Sequence, residues 1–332
     1  MDPNALPVAV DAMGGDNAPS EIIKGAELAL EAGIPVLLVG QPDALTGISD
    51  IPTKFASEVI GMGEDPASAV RKKKDSSLVR SAEAVRDGHA IAMVSAGNTG
   101  ATMASALLKI GRIRGVSRPA IATPIPVLGR TKPNILLDSG ANAECNPEWL
   151  VQFAEMGAVY ARDRFSTSKP KIGLLSIGEE PGKGSSLAKE AFKLLGDQDW
   201  QKRCSGEFVG NVEGRDLMNP DIDVIVTDGF TGNVALKTLE GTAKSIVSSL
   251  LDAFSSTPEA AEGAKLLAPA LLPLYERLDP ESVGGAILLG IKGVAIVSHG
   301  SSGPKAIFNA ISIAHELSTD KHVQHLEEVI RR

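Results

Sequence analysis

Several segments of this 332-residue chain repeat one pattern: a short apolar run, a loop of glycines with polar side chains, then a helix start. In the first, Asp11-Ala12-Met13-Gly14-Gly15-Asp16-Asn17 follows apolar residues 8–10, and Pro19-Ser20-Glu21 opens a helix. Glycines there let the backbone approach a ligand with no Cβ in the way. A helix start adds unpaired N–H groups and a positive dipole end. Asp11 and Asp16 oppose a bare anion at this place, so they fix the loop or position a cation or donor. The same pattern returns in Ser95-Ala96-Gly97-Asn98-Thr99-Gly100, in Asp138-Ser139-Gly140-Ala141-Asn142 and in Gly178 to Ser186 with its single Lys183. It returns again in Asp228-Gly229-Phe230-Thr231-Gly232-Asn233 and in His299-Gly300-Ser301-Ser302. Glycine, Asn, Thr, Ser and one Lys make up a cleft that holds an oxyanion with backbone and amide donors.

Such loops need a scaffold that gathers them. Strand, polar loop and helix in alternation predict an α/β fold: an α/β/α sandwich with a mostly parallel sheet and helices on both faces. The unbroken apolar runs 34–39 and 90–94 suit strands covered on both sides. In such a sheet the loops gather at the carboxyl edge, so those far apart in sequence are expected to share one cleft. Residues 1–332 read as one large domain. Residues 41–68 read as irregular, and Ser76-Ser77 caps a helix over 78–87.

The composition excludes several classes. The chain is 43% hydrophobic and 22% charged with net charge −8, which argues against nucleic acid as the partner. Aromatics at 4% disfavour a base-stacking platform. Two cysteines, Cys145 and Cys204, without CxxC give no disulfide framework or cysteine zinc site. Neither a basic, apolar leader nor a run of the ~20 apolar residues that span a bilayer occurs. A cytoplasmic protein is expected, with peripheral membrane contact through the segment described below. P-loop, dinucleotide, nucleophile-elbow and H-E-x-x-H motifs are absent, and no metal or cofactor is expected. The string His315 to Asp320 falls within a helix and reads as coincidence. Cys145 has no adjacent His to activate it and reads as a small hydrophobe.

Cations cluster twice, at Arg71, Lys72, Lys73 and Lys74 and at Arg112, Arg114 and Arg118; each is a solvated face or an acidic-partner surface. In residues 238–278, Leu239, Ala243, Ile246, Val247, Leu250 and Phe254 line one helix face. An apolar run with Pro269 and Pro273 follows, and the prolines argue against one uniform helix. This insertion reads as a dimer interface, as a reversible membrane contact, or as both.

Residues 8–19, 95–101, 228–237 and 299–302, with Asp138 to Asn142, resemble the bacterial phosphate acyltransferases of the PlsX family in the right order, over about residues 7–315. The resemblance implies a fold similar to phosphotransacetylases and isopropylmalate dehydrogenases, and a homodimer. It implies a reaction in which long-chain acyl-[acyl carrier protein] (acyl-ACP) and inorganic phosphate give acyl phosphate and ACP. The product enters phospholipid synthesis upstream of the membrane glycerol-3-phosphate acyltransferase.

That chemistry needs orientation and charge compensation rather than a protein nucleophile. Phosphate attacks the thioester directly, and a thiol of pKa ~8.5 leaves readily. Lys183 is the candidate for binding or deprotonating phosphate, and Asn233 for donating to oxyanion or phosphate. Asn98, Thr99, Gly100, Asn142, Thr231 and Gly232 complete the cradle, with Gly14 and Gly15 admitting the backbone. Asp11 and Asp228 orient donors, and His299 and Ser301 stand by. The seven cations are candidates for receiving acidic ACP.

Overall fold

The computed structural model describes residues 5–278 and 284–331. Its centre is one 11-stranded sheet in the order β3-β2-β1-β4-β11-β10-β5-β6-β9-β7-β8. One half contains β1 (Val8–Asp11), β2 (Val36–Gly40), β3 (Thr53–Phe55), β4 (Ala92–Ser95) and β11 (Val294–Val297). The other contains β6 (Asn134–Leu137), β7 (Lys171–Leu175), β8 (Glu207–Val212) and β9 (Val224–Val226). Between them lie β5 (Ala120–Ile125) and β10 (Ala286–Leu289).

Within each half all pairs are parallel, but β10 is antiparallel to both neighbours and β5 is antiparallel to β6. The halves therefore run in opposite directions, and the single carboxyl edge expected from the sequence does not exist. Ser95 pairs with Val297, Val297 with Ala286, the adjoining Ile287 with Ala122, and Ala122 with Leu137, so β4 and β6 end at nearly the same level across the middle strands. Both sets of strand-end loops thus flank the division between the halves. Residues 41–68, expected to be irregular, supply the short edge strand β3.

Side-chain alternation divides the core. One face is a continuous apolar cluster from Val8 and Leu38 through Ala122 and Ile135 to Val224 and Ile172. Covering it are α1 (Ser20–Glu31), α5 (Pro147–Phe165), α6 (Ser186–Gly196), α7 (Trp200–Cys204), α10 (Pro304–Thr319) and α11 (His322–Ile330). The other face is split. Met93, Ala295, Leu288 and Ile121 pack under α2 (Pro66–Lys72), α3 (Ser77–Arg86) and α4 (Thr99–Ser105) with its π turn Ala106–Ile110. Separately, Ile125, Leu136 and Ile225 pack with Leu217, Ile222 and the first turns of α8 (Gly229–Phe254). Thr123 and Ala286, both half-buried, face the furrow left between these two clusters.

Beyond Leu239, α8 leaves the body and pairs with α9 (Pro258–Leu278) as a projecting hairpin. Here the structure corrects the expectation that proline interrupts this run: α9 is continuous through Pro269 and Pro273. An interior proline costs roughly 3 kcal/mol where a helix must satisfy its backbone internally. Residues 265 and 269 are exposed, so water can take the carbonyl that the missing N–H leaves free.

Candidate functional site

The site is assembled around Asp138, which directly follows β6 and is wholly buried. Its carboxylate accepts the backbone N–H groups of Ile121 (3.0 Å), Gly140 (3.2 Å), Ala141 (2.9 Å) and Asn142 (2.7 Å). It also accepts Nδ2–H of Asn142 at 2.9 Å. Burial pushes its pKa up, and these donors oppose the rise. The second amide hydrogen of Asn142 goes to the Pro119 carbonyl at 2.9 Å. Asn142 therefore has no amide donor to spare for a substrate; it stitches the loop to β5.

Against this loop sits the first turn of α8. Asp228 caps it, accepting Thr231 N–H and Thr231 Oγ1–H, each at 2.8 Å. Gly229 donates its N–H to the Asn142 carbonyl at 2.7 Å. A Cβ on Gly232 would collide with the Asp138 carbonyl oxygen, so only glycine permits this approach. One residue on, Asn233 is exposed beside Gly140, and its side chain makes no hydrogen bond among the described residues.

Lys183 occupies the loop after β7, and β7 is paired with β9. Its N–H donates to the Glu180 carbonyl at 3.0 Å, and Asn211 Nδ2 donates to that same oxygen at 2.8 Å. The loop is thereby anchored to β8, while the Lys183 side chain lies exposed over Gly178 with no ion pair among the described residues. Strand pairing thus brings Lys183, Asn142, Asp228, Thr231, Gly232 and Asn233 to adjoining loops of one half.

The remaining predicted residues form a second group. Asp11 is buried and accepts Ser95 Oγ–H (2.7 Å) and Met13 N–H (3.2 Å); burial raises its pKa. A Cβ on Gly14 would come within 2.6 Å of its Oδ2, so Asp11 fixes the glycine turn from within. The Gly15 turn closes on the last loop, Asp16 N–H donating to the Gly300 carbonyl at 2.7 Å. Asn98 caps α4 through Ala101 N–H (3.0 Å) and spends both amide hydrogens on the Met62 (2.8 Å) and Glu64 (3.1 Å) carbonyls. It too is committed, with Thr99 and Gly100 following in the first turn of α4. His299 Nδ1 accepts Ser301 N–H at 3.3 Å and lies 2.8 Å from Ser301 Oγ.

The two groups share no hydrogen bond among the described residues. Strands β11, β10 and β5 all lie between β4 and β6, a width several times that of a phosphate ion. The residues expected to form a single cradle thus fall into two groups, one on each side of the furrow. The cations are divided likewise. Arg71, Lys72, Lys73 and Lys74 precede α3, near the start of α4, whereas Arg112, Arg114 and Arg118 follow its π turn. The whole length of α4 and that turn, Thr99 to Ile110, stands between them. Lys73 is also committed, to Glu64 Oε1 (2.6 Å) and the Val59 carbonyl (2.7 Å).

Sequence reasoning quoted Asp138 in a strand-end loop but gave it no role in the site, and passed over Trp149. The first carried a signal, being a buried-type position followed at once by Ser-Gly-Ala-Asn; the second had none before Arg118 was found stacked on it. Cys145 lies beside Gly229, and burial pushes its thiol up to about 12. At pH 8 it is a thiol, not a thiolate. A Cys145→Ala protein is expected to retain acyl transfer within about twofold. Iodoacetamide is expected to leave Cys145 unmodified at pH 8 in the folded protein, checked by mass spectrometry.

Among the described residues no cluster of His, Cys, Asp and Glu is placed to hold a metal ion, and no helix is long and apolar enough to cross a membrane. Comparison with solved structures finds the fold in a phosphotransacetylase from Streptococcus pyogenes (TM-score 0.61, 17% identity, covering 95% of this chain and 94% of that one). It also finds it in the EutD phosphotransacetylase from Staphylococcus aureus (TM-score 0.60, 16% identity, 94% of each chain). Among sequences, a phosphate acyltransferase of Heliobacterium modesticaldum is 46% identical over 333 residues, covering 97% of each chain. One from Elusimicrobium minutum is also 46% identical, covering 97% of this chain and 95% of its own. The sequence model of the family described as "Fatty acid synthesis protein" matches residues 6–325. The chain therefore belongs to that fatty acid synthesis protein family, in which these phosphate acyltransferases are its relatives.

Proposed function

We propose that this protein is a phosphate acyltransferase that moves a long-chain acyl group from acyl-ACP to inorganic phosphate, supplying acyl phosphate for phospholipid synthesis. The observation that carries the mechanism is the placement of Lys183 and Asn233, each without a protein partner among the described residues, on loops of neighbouring strands around the Asp138 scaffold. A phosphate oxygen attacks the thioester carbonyl and forms the new C–O bond. The carbonyl oxygen becomes an oxyanion, then the C–S bond breaks and the ACP thiolate leaves and takes up a proton. Lys183 binds the phosphate and offsets its charge, and Asn233 Nδ2–H donates to the oxyanion or to a phosphate oxygen. The α8 start adds its dipole at the same place.

The test is acyl phosphate formation from palmitoyl-ACP and phosphate, trapped with hydroxylamine, beside palmitoyl-CoA. Phosphate-dependent product from ACP supports the reading. Product from CoA alone moves the protein to a CoA-dependent transacylase, and acyl-ACP binding without thiol release makes it a binding protein.

Acidic ACP meets one cation group in this reading, because the two are too far apart to form one patch. Arg118 lies over Trp149 in a recess lined by Asn142, beside the half that holds Lys183, and Arg112 and Arg114 precede it in the same segment, so these three are the receiving group. Raising salt from 50 to 300 mM is expected to raise the ACP KM several-fold with kcat little changed. Arg114→Glu is expected to raise that KM more than Lys72→Glu. A flat salt response removes the docking surface.

The hairpin of α8 and α9 exposes the large apolar side chains Ile246 (62%), Leu251 (57%), Leu266 (78%) and Leu267 (52%), the kind of surface that marks a protein or membrane contact. We assign its base to a homodimer contact and its tip to transient contact with the membrane, where the downstream glycerol-3-phosphate acyltransferase takes the product. Leu266→Glu/Leu267→Glu is expected to abolish flotation with anionic liposomes while the dimer persists in sedimentation; unchanged flotation removes the membrane role.

A further inference from the structure

Beside the start of α8 is a recess of about 350 Å³ lined by Arg118, Asn142, Glu144, Cys145, Asn146 and Trp149. It is continuous with the candidate site: the Asn142 carbonyl accepts Gly229 N–H, and the Cys145 thiol lies against that same Gly229. One wall therefore serves both the recess and the helix turn that carries Asn233.

Arg118 is set into this recess by its neighbours. Ser117 N–H donates to Gln152 Oε1 at 2.8 Å, and Gln152 Nε2 donates to the Gly115 carbonyl at 2.8 Å. On its other side the Pro119 carbonyl accepts Asn142 Nδ2–H. The backbone is thus held from α5 and from the Asp138 loop at once. The guanidinium lies over the Trp149 ring, 5.0 Å from its centroid. Among the described residues it makes no ion pair, although Glu144 lines the same recess. A stacked guanidinium keeps its in-plane N–H donors available while its face is covered by the ring. Arg118 is therefore a pre-positioned anion donor next to a flat apolar surface, beside the helix turn that carries Asn233.

Inorganic phosphate is not its natural occupant, since the attacking phosphate must stand with Lys183 and Asn233, and neither lines the recess. The thioester substrate brings a second anion. Its acyl group hangs on a phosphopantetheine arm, a phosphodiester followed by apolar and amide units. We infer that this recess is the subsite for that arm: Arg118 binds the phosphodiester and Trp149 covers the pantetheine behind it. This rests on the acyl-ACP reading above and names the part of the substrate that the recess holds. It separates two jobs within the second cation group, Arg118 gripping the arm and Arg112 and Arg114 facing the carrier's acidic surface.

The test is calorimetric and kinetic. Wild-type protein is titrated with 4′-phosphopantetheine and with pantetheine, which lacks the phosphate. Arg118→Ala, checked for native circular dichroism, is expected to weaken 4′-phosphopantetheine at least tenfold and leave pantetheine unchanged. Trp149→Leu is expected to weaken both. In turnover, Arg118→Ala should raise KM for palmitoyl-ACP and for palmitoyl-4′-phosphopantetheine alike, with KM for inorganic phosphate unchanged. Equal loss for both titrated ligands overturns the subsite. So does a raised phosphate KM, which would give Arg118 to the co-substrate, or an effect confined to the intact carrier protein, which would make it a surface contact. Phosphopantetheine binding without acyl phosphate formation by the wild type would sink the catalytic reading and leave the subsite standing.

Discussion

Lys183→Ala and Asn233→Ala are each expected to lower kcat for acyl phosphate formation by about 10²–10³, the loss typical of one pre-positioned donor at a developing oxyanion. The two should differ in how the loss is distributed. Lys183 is a full charge facing a dianionic nucleophile, so its removal should also raise KM for phosphate, and Lys183→Arg should restore part of that binding without restoring turnover. Asn233 is a neutral donor, so Asn233→Ala should act on kcat with little change in either KM. Neither variant should unfold, because both side chains are exposed and make no hydrogen bond that the fold depends on. Hydroxylamine trapping across a phosphate titration checks the split. Near-wild-type turnover in both variants would remove this edge of the sheet as the reacting centre.

The second large effect is on stability. Asp138→Ala removes the acceptor for four backbone N–H groups and an amide, leaving that of Ile121 without a partner in the core and the others without one in a half-buried loop. Each orphaned donor costs roughly 1–3 kcal/mol, less where the loop relaxes and water enters, so a net loss of about 3–5 kcal/mol is expected in urea unfolding. The α8 start should loosen with it, since Gly229 and Gly232 pack on the same loop. Asp138→Asn keeps the acceptor oxygen but places an NH₂ where N–H donors converge, and should recover only part of the loss. Limited proteolysis near residues 140–146 would report the released loop. Wild-type stability in Asp138→Ala would mean that the loop is held by its neighbours instead.

Local chemistry was legible in the chain itself. The loop from Asp228 to Asn233 announces a helix start, and the helix forms, capped by Asp228 through Thr231. Ser76 caps α3 in the same way, its hydroxyl accepting Val79 N–H at 3.4 Å. Gly-Asn, Gly-Ala-Asn and Gly-Gly loops after apolar runs mark strand ends because only those residues suit the turns, and the order of these loops is what resembles a family.

What the sequence alone could not decide was which way each half of the sheet runs. That depends on β5 and β10, whose local signals are poor. The run Ala120-Ile-Ala-Thr-Pro-Ile places Pro124 inside a central strand, where a missing N–H argues against a strand. Residues 286–289 are one more short apolar run. Pairing direction is a long-range property, fixed by which strand ends the intervening helices bring together, and no local propensity encodes it. Tertiary structure therefore made two walls out of the expected single cleft. It also spent Asn98 and Asn142 on backbone carbonyls, where a sequence shows only two amides in promising loops. A side chain's type gives the bonds it is able to make; only its packed surroundings determine which of them remain for a substrate, and on that ground Lys183 and Asn233 keep theirs.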